Sequence, residues 1–124
     1  MKAKSFQRVS SLEEAYKLLK ESPRNKIVAG GLWLKKGNAE VETLIDLSLL
    51  GLGKIEDKNE YVEIGAMVTQ RQFETSDLIP EMAREAVKSI MGPAFRNIAT
   101  IGGSVYGKYG FSDVITGLLG YKVD

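Results

Sequence analysis

Apolar positions along this chain change their period from segment to segment, and the changes mark the elements. Leu12, Ala15, Tyr16, Leu18 and Leu19 fall on one helical face. Ser11-Leu12-Glu13-Glu14 has the form of a capping box, with Ser11 as N-cap and Glu14 reaching back. The helix should fade near Ser22-Pro23. Lys26 to Ala29 predicts a short buried strand that delivers the chain to Gly30-Gly31. Leu32-Trp33-Leu34 is apolar, and Lys35 to Asn38 reads as a polar loop. Glu42 to Leu47 predicts a second strand with Asp46 near its end. This first third reads β-α-β, which favours parallel strands and a covering helix.

From Leu52 the pattern shortens. Lys54-Ile55-Glu56 and Tyr61-Val62-Glu63-Ile64 flank the polar run Asp57 to Glu60, which predicts a hairpin. Thr69-Gln70-Arg71-Gln72 is a second capping-box pattern and starts a short helix. Ser76-Asp77 ends it and is placed to cap the next, with Pro80 suited to a first helical turn. Ile79, Met82, Ala83, Ala86, Val87 and Ile90 keep helical spacing to Met91, and Gly92-Pro93 stops it. Phe95 to Ala99 leads, strand-like, into Gly102-Gly103. Ser112-Asp113 caps a last helix carrying Val114, Ile115, Leu118 and Leu119. Tyr121 to Asp124 reads equally as the start of another strand or as a frayed end.

The 124 residues suffice for one modest core or two small subdomains. Gly51 and Gly53 mark the seam, giving a small α/β subdomain at 1–52 and a second mixed subdomain at 53–124. A net charge of +1 argues against a nucleic-acid partner, and no apolar run approaches transmembrane length. Met1 to Phe6 lacks the apolar stretch of a signal peptide, so a cytoplasmic location is expected. The chain has no cysteine and no histidine. That excludes disulfides, Cys/His metal sites and any His-assisted nucleophile, and puts any redox metal on a partner. No catalytic side chain and no metal ligand is assigned. Paired acids such as Glu13-Glu14 and Glu56-Asp57 read as caps and turns.

The candidate chemistry lies in two glycine pairs, Gly30-Gly31 and Gly102-Gly103, each after an apolar run. Glycine lets the backbone turn sharply and lets a ligand approach the main chain. Converging N–H groups bind an anion without a cationic side chain, so two such loops suit the two phosphates of a dinucleotide. Either pair alone reads more simply as a tight turn or bulge. Neither has the spacing of a Rossmann or P-loop fingerprint.

An ordered series of motifs carries a resemblance. Ser11 to Ala15, Ala29-Gly30-Gly31, Leu44 to Leu47, Ile64 to Thr69, Arg96-Asn97-Ile98-Ala99-Thr100-Ile101-Gly102-Gly103 and Ser112-Asp113 occur in that order. The series resembles the FAD-binding domain, the medium or flavoprotein subunit, of molybdenum hydroxylases of the xanthine dehydrogenase and carbon monoxide dehydrogenase type. The resemblance implies an α+β fold of the vanillyl-alcohol-oxidase type, with a small β-α-β subdomain and part of a second mixed subdomain that together clasp FAD. It implies an electron-transfer module of an oxidoreductase, not active alone. Electrons would come from molybdopterin on a large subunit through iron–sulfur centres on a small subunit, and pass from FAD to NAD or another acceptor.

Carried over by position, Ala29, Gly30, Gly31, Leu32, Trp33 and Leu34 match the first pyrophosphate loop. Thr100, Ile101, Gly102, Gly103 and Ser104 match the second. Asp113 matches an acid that accepts from the ribose of the adenosine half, and by itself reads as a helix N-terminal acid beside the Ser112 cap. Arg96 and Asn97 are expected to fix the turn before the second loop, with phosphate pairing by Arg96 as the alternative. Leu32-Trp33 stands where the family commonly has Thr-Asp, and Ser104 where it has Asn. Lys108 is placed to offset phosphate charge and Tyr109 or Phe111 to lie against a flavin or adenine ring, with solvated lysine and core packing as the plainer alternatives. The family's domain continues beyond the point matched by Asp124. The chain is therefore expected to be truncated, holding mainly the adenosine-diphosphate half and exposing a sheet edge open to homodimerisation. The alternative function is a scaffold that keeps the fold without FAD.

Overall fold

A computed structural model describes residues 1–124, which divide into two compact units, Met1–Leu52 and Gly53–Asp124. The first unit holds β1 (Lys2–Arg8), α1 (Leu12–Glu21), β2 (Lys26–Val28), α2 (Leu32–Lys36) and β3 (Glu40–Asp46), followed by a single 3₁₀ turn at Ser48–Leu50. Its sheet is parallel with order β1-β3-β2, so the last strand in sequence is the central one. Val9, Ala15, Val41, Ile45 and Leu47 form its buried centre. Asn25 is also buried, donating to Leu18 O at 2.7 Å and accepting from Thr43 N–H at 3.1 Å, which ties α1 to β3.

Local chemistry explains most of these elements and corrects some expectations. Ser11 caps α1 by accepting from Glu14 N–H at 3.1 Å, but Glu14 reaches back to Ser10 N–H, one residue earlier than a capping box requires. That bond is the main reason the Glu14 carboxyl titrates below its usual range. Strand β1 is an addition to the pattern reading, because every one of its residues is exposed and no alternation betrays it. Strand β2 is not buried: Lys26 and Ile27 are exposed at the sheet edge. The segment after Gly31 is a short helix rather than an apolar stretch followed by a loop.

The second unit begins with an antiparallel hairpin, β4 (Ile55–Asp57) and β5 (Val62–Ile64). Five helices follow: α3 (Gln70–Thr75), α4 (Glu81–Lys88), α5 (Pro93–Arg96), α6 (Ile101–Gly107) and α7 (Asp113–Leu119). Val68, Phe73, Ile79, Ala83, Val87, Ile101 and Val114 form one core. Helices α4 and α7 pack closely at Gly117, where a Cβ would lie 2.9 Å from Ala86 Cβ. Thr69 and Gln72 make the complete capping box of α3. Ser76 closes α3 but does not cap α4, whose N-cap is Pro80. The run before Gly102-Gly103 is not a strand: Phe95 and Arg96 end α5, Asn97-Ile98 is a turn, and only Thr100 makes a single antiparallel bridge, with Thr69. Residues 121–124 form no strand. No helix is long and apolar enough to cross a membrane.

Candidate functional site

The first glycine loop leaves β2 and enters α2. Gly31 sits at φ +69° and is the N-cap of α2, with no side chain covering the helix start. A Cβ there would make only ordinary contact, 3.4 Å from Val28 Cγ2, so the demand for glycine is conformational rather than steric. The first N–H groups of any helix lack intrahelical partners. Here those of Gly30, Gly31, Leu32 and Leu34 meet no acceptor, while Lys35 N–H bonds Gly31 O at 2.9 Å. Ala29, Gly30, Gly31, Leu32 and Leu34 are half-buried, within reach of a ligand. Trp33 is 44% exposed with the Lys36 ammonium 5.0 Å from its ring centroid, a cation–π contact on the surface.

The second loop is the N-terminus of α6, and its glycines do something different. Ile101 N–H bonds Val68 O at 2.8 Å and Gly102 N–H bonds Ala66 O at 3.0 Å. Thr100 caps the helix through Gly103 N–H at 3.1 Å, and Ser104 N–H bonds Thr100 O at 3.1 Å. A Cβ on Gly102 would stand 2.5 Å from Ala66 O, so Gly102 is there to let α6 lie against the turn at Ala66 that follows β5. The expected row of free N–H donors at Gly102-Gly103 is therefore taken up within the chain. Ser104 is half-buried, and its hydroxyl donates to Thr100 O at 2.9 Å and accepts from Gln70 Nε2 at 3.1 Å.

Arg96 is structural. It is 6% exposed, its Nε donates to Glu74 Oε1 at 2.9 Å, and its Nη1 donates to Ile90 O and Met91 O at 2.7 and 2.9 Å. Its Nε and Nη1 are engaged within the second unit, which is the structural role expected for it. Burial alone would raise the Glu74 pKa, but the bonds and charges of Arg71 and Arg96 hold it below the usual range. Asn97 follows as the C-cap of α5. Asp113 is exposed in the first turn of α7, beside its Ser112 cap. Tyr109 and Phe111 stack with ring centroids 5.2 Å apart, Phe111 being 67% exposed, so this pair lies outside the core. Lys108 is exposed at φ +49°.

Gln70 escapes a reading based on capping patterns, yet it is 4% exposed and bonds into the second loop. The available signal is its spacing: Gln70, Phe73 and Glu74 share one helical face, so a polar residue stands on the buried side.

Residues 2–123 match the family described as FAD binding domain in molybdopterin dehydrogenase. The chain is 34% identical over 104 residues to the nicotine 6-hydroxylase medium subunit of Paenarthrobacter nicotinovorans, covering 77% of this chain and 37% of that protein. It is 30% identical over 113 residues to the xanthine dehydrogenase FAD-binding subunit of Escherichia coli O157:H7, covering 82% and 38%. Among solved structures, a chain of Cu,Mo-CO dehydrogenase superposes with a TM-score of 0.77 at 32% identity, over 85% of this chain and 40% of that one. Quinoline 2-oxidoreductase from Pseudomonas putida 86 gives a TM-score of 0.72 at 27% identity, over 82% and 38%. The chain thus spans about two-fifths of the length of these relatives.

Proposed function

Because the chain belongs to the FAD-binding domains of molybdopterin dehydrogenases, we propose that it is the flavin-holding part of a molybdenum hydroxylase-type electron-transfer subunit. The family match across residues 2–123 carries this reading. When bound, FAD supplies the redox chemistry between iron–sulfur centres on a partner subunit and NAD or another acceptor. The chain's own part is to hold and orient.

The first loop fits that task. Four uncommitted N–H groups at Gly30, Gly31, Leu32 and Leu34 suit phosphate oxygens, and they need no cationic side chain. In the second loop Thr100, Ile101, Gly102, Gly103 and Ser104 fit a cofactor by close approach and hydroxyl contact. Asp113 is proposed for a ribose hydroxyl, since its carboxylate is exposed. The molybdenum-binding and iron–sulfur subunits are the proposed partners.

The committed N–H groups of the second loop also favour a second reading, a scaffold that keeps the fold without FAD. Titration with FAD, followed by flavin fluorescence with ADP as competitor, separates the two. Saturable FAD binding that ADP displaces supports the flavoprotein reading. No binding by a chain with a cooperative unfolding transition sinks it in favour of the scaffold. Gly31→Ala is expected to weaken FAD about tenfold or more, because an L-residue at φ +69° carries about 1–2 kcal/mol of strain and shifts the donors. Gly31→Asn, which tolerates that conformation, should recover most of the affinity.

A further inference from the structure

The spacing of apolar residues carries α4 to Met91, with Gly92-Pro93 as its stop. The structure ends the helix earlier, at Lys88, with Ser89 as C-cap. Ile90 N–H bonds Val87 O at 3.0 Å, the tightened pattern of a closing turn, and the N–H groups of Met91 and Gly92 meet no acceptor. Met91 then sits at φ +42°, in the left-handed region that a long side chain avoids. Gly92 beside it would take that conformation freely, yet it lies at φ −103°, where a Cβ would meet nothing within 4 Å. The glycine is unused as a glycine, and the strain falls on its neighbour.

The Met91 side chain is 70% exposed, so its own packing does not hold this shape. What grips the turn is Arg96, whose Nη1 donates to Ile90 O at 2.7 Å and Met91 O at 2.9 Å while its Nε is anchored on Glu74 at 2.9 Å. We propose that Ile90 to Gly92 is a two-state turn, latched short by Arg96, and that release of the Glu74–Arg96 pair lengthens α4 through Met91. In the longer state Met91 relaxes into the helix, its N–H bonds Val87 O, and Gly92 takes the left-handed position that closes a helix before proline. Ile90 packs on the core and shares the helical spacing of Ala83 and Val87, so it keeps its place in both states. The turn opens directly into α5, so the latch sets where that helix starts. A strained residue persists only where its surroundings over-determine it, and here the surroundings are one buried ion pair.

The test compares the full chain with a variant carrying both Glu74→Met and Arg96→Met, by backbone NMR shifts and amide hydrogen exchange. Removing the latch is expected to move the Cα shifts of Ser89 to Met91 to helical values and to slow exchange at Met91 about tenfold or more. Adding Gly92→Ala to that variant should abolish both effects, because the longer state needs a left-handed residue there. Gly92→Ala alone should leave the wild-type turn unchanged. Met91→Asn alone should raise the folding equilibrium constant about fivefold, since asparagine tolerates the left-handed region. If the two-methionine variant does not fold, Arg96→Lys carries the same readouts: it keeps a charge for Glu74 but has no planar fork to reach both carbonyls. Wild-type shifts and exchange in the unlatched chain, a lengthened helix that survives Gly92→Ala, or no gain from Met91→Asn overturns the inference.

Discussion

Gly102→Ala should destabilise the second unit by about 3 kcal/mol or more, while Gly103→Ala should change it by less than about 1 kcal/mol. The two glycines are adjacent and look equivalent in sequence. A Cβ on Gly102 would lie 2.5 Å from Ala66 O, 2.8 Å from Ala66 Cβ and 3.0 Å from Ala66 Cα, so main chain rather than a flexible side chain must yield. Retreat of α6 would break the 3.0 Å bond from Gly102 N–H to the same carbonyl and strain the neighbouring Ile101 N–H bond to Val68 O. Ile101 belongs to the core, so the disturbance spreads inward. A Cβ on Gly103 meets only Thr100 Oγ1 at 3.0 Å, which a small rotation relieves. Denaturant unfolding of both variants measures the difference. Equal midpoints would mean that the close approach at Ala66 is not what holds α6 in place.

Glu74→Gln is the second large effect, expected at about 3–5 kcal/mol, because it strips a buried cation of its counter-charge. Glu74 is 2% exposed and takes both Arg96 Nε and Arg71 Nη1 on one oxygen, each at 2.9 Å. A loss of that size approaches the whole stability of a small domain. Converting both Glu74 and Arg96 to Met should recover much of it, since apolar replacement of a complete buried pair is often neutral. The pH dependence has a definite sign. Burial pushes the Glu74 carboxyl up, and the two arginines more than reverse this, so its folded pKa lies below the unfolded one. Its stabilisation is fully present above the ordinary carboxylate range and is lost as pH falls through the lower, folded value. Stability of Glu74→Gln measured from neutral pH into that acid range should fall less steeply than that of the wild type. Parallel curves would show that Glu74 does not carry the acid sensitivity.

How much of this was legible in the sequence depends on which physical term decided each element. Helices α1, α4 and α7 announce themselves, because burial of one face dictates their apolar spacing. The hairpin and the box at Thr69 and Gln72 are local chemistry and read equally well. Strand β1 is silent, since Lys2, Lys4, Gln7 and Arg8 face solvent and only its pairing with β3 makes it a strand. Helix α6 runs against propensity, with three glycines in Ile101 to Gly107, and is held by the Thr100 cap and the carbonyls of Ala66 and Val68. The same holds for the candidate site. Glycine positions could be found by motif, but which N–H groups stay open is a tertiary fact, and it differs between the two loops.

The order β1-β3-β2 also has a consequence for synthesis. Both outer strands pair with β3 and not with each other, and β3 ends at Asp46. As the chain leaves the ribosome, neither β1 nor β2 has a ladder partner until β3 emerges, and β2 pairs only with its last three residues, Leu44 to Asp46. The N-terminal sheet is thus assembled in one late event, from strands that must wait.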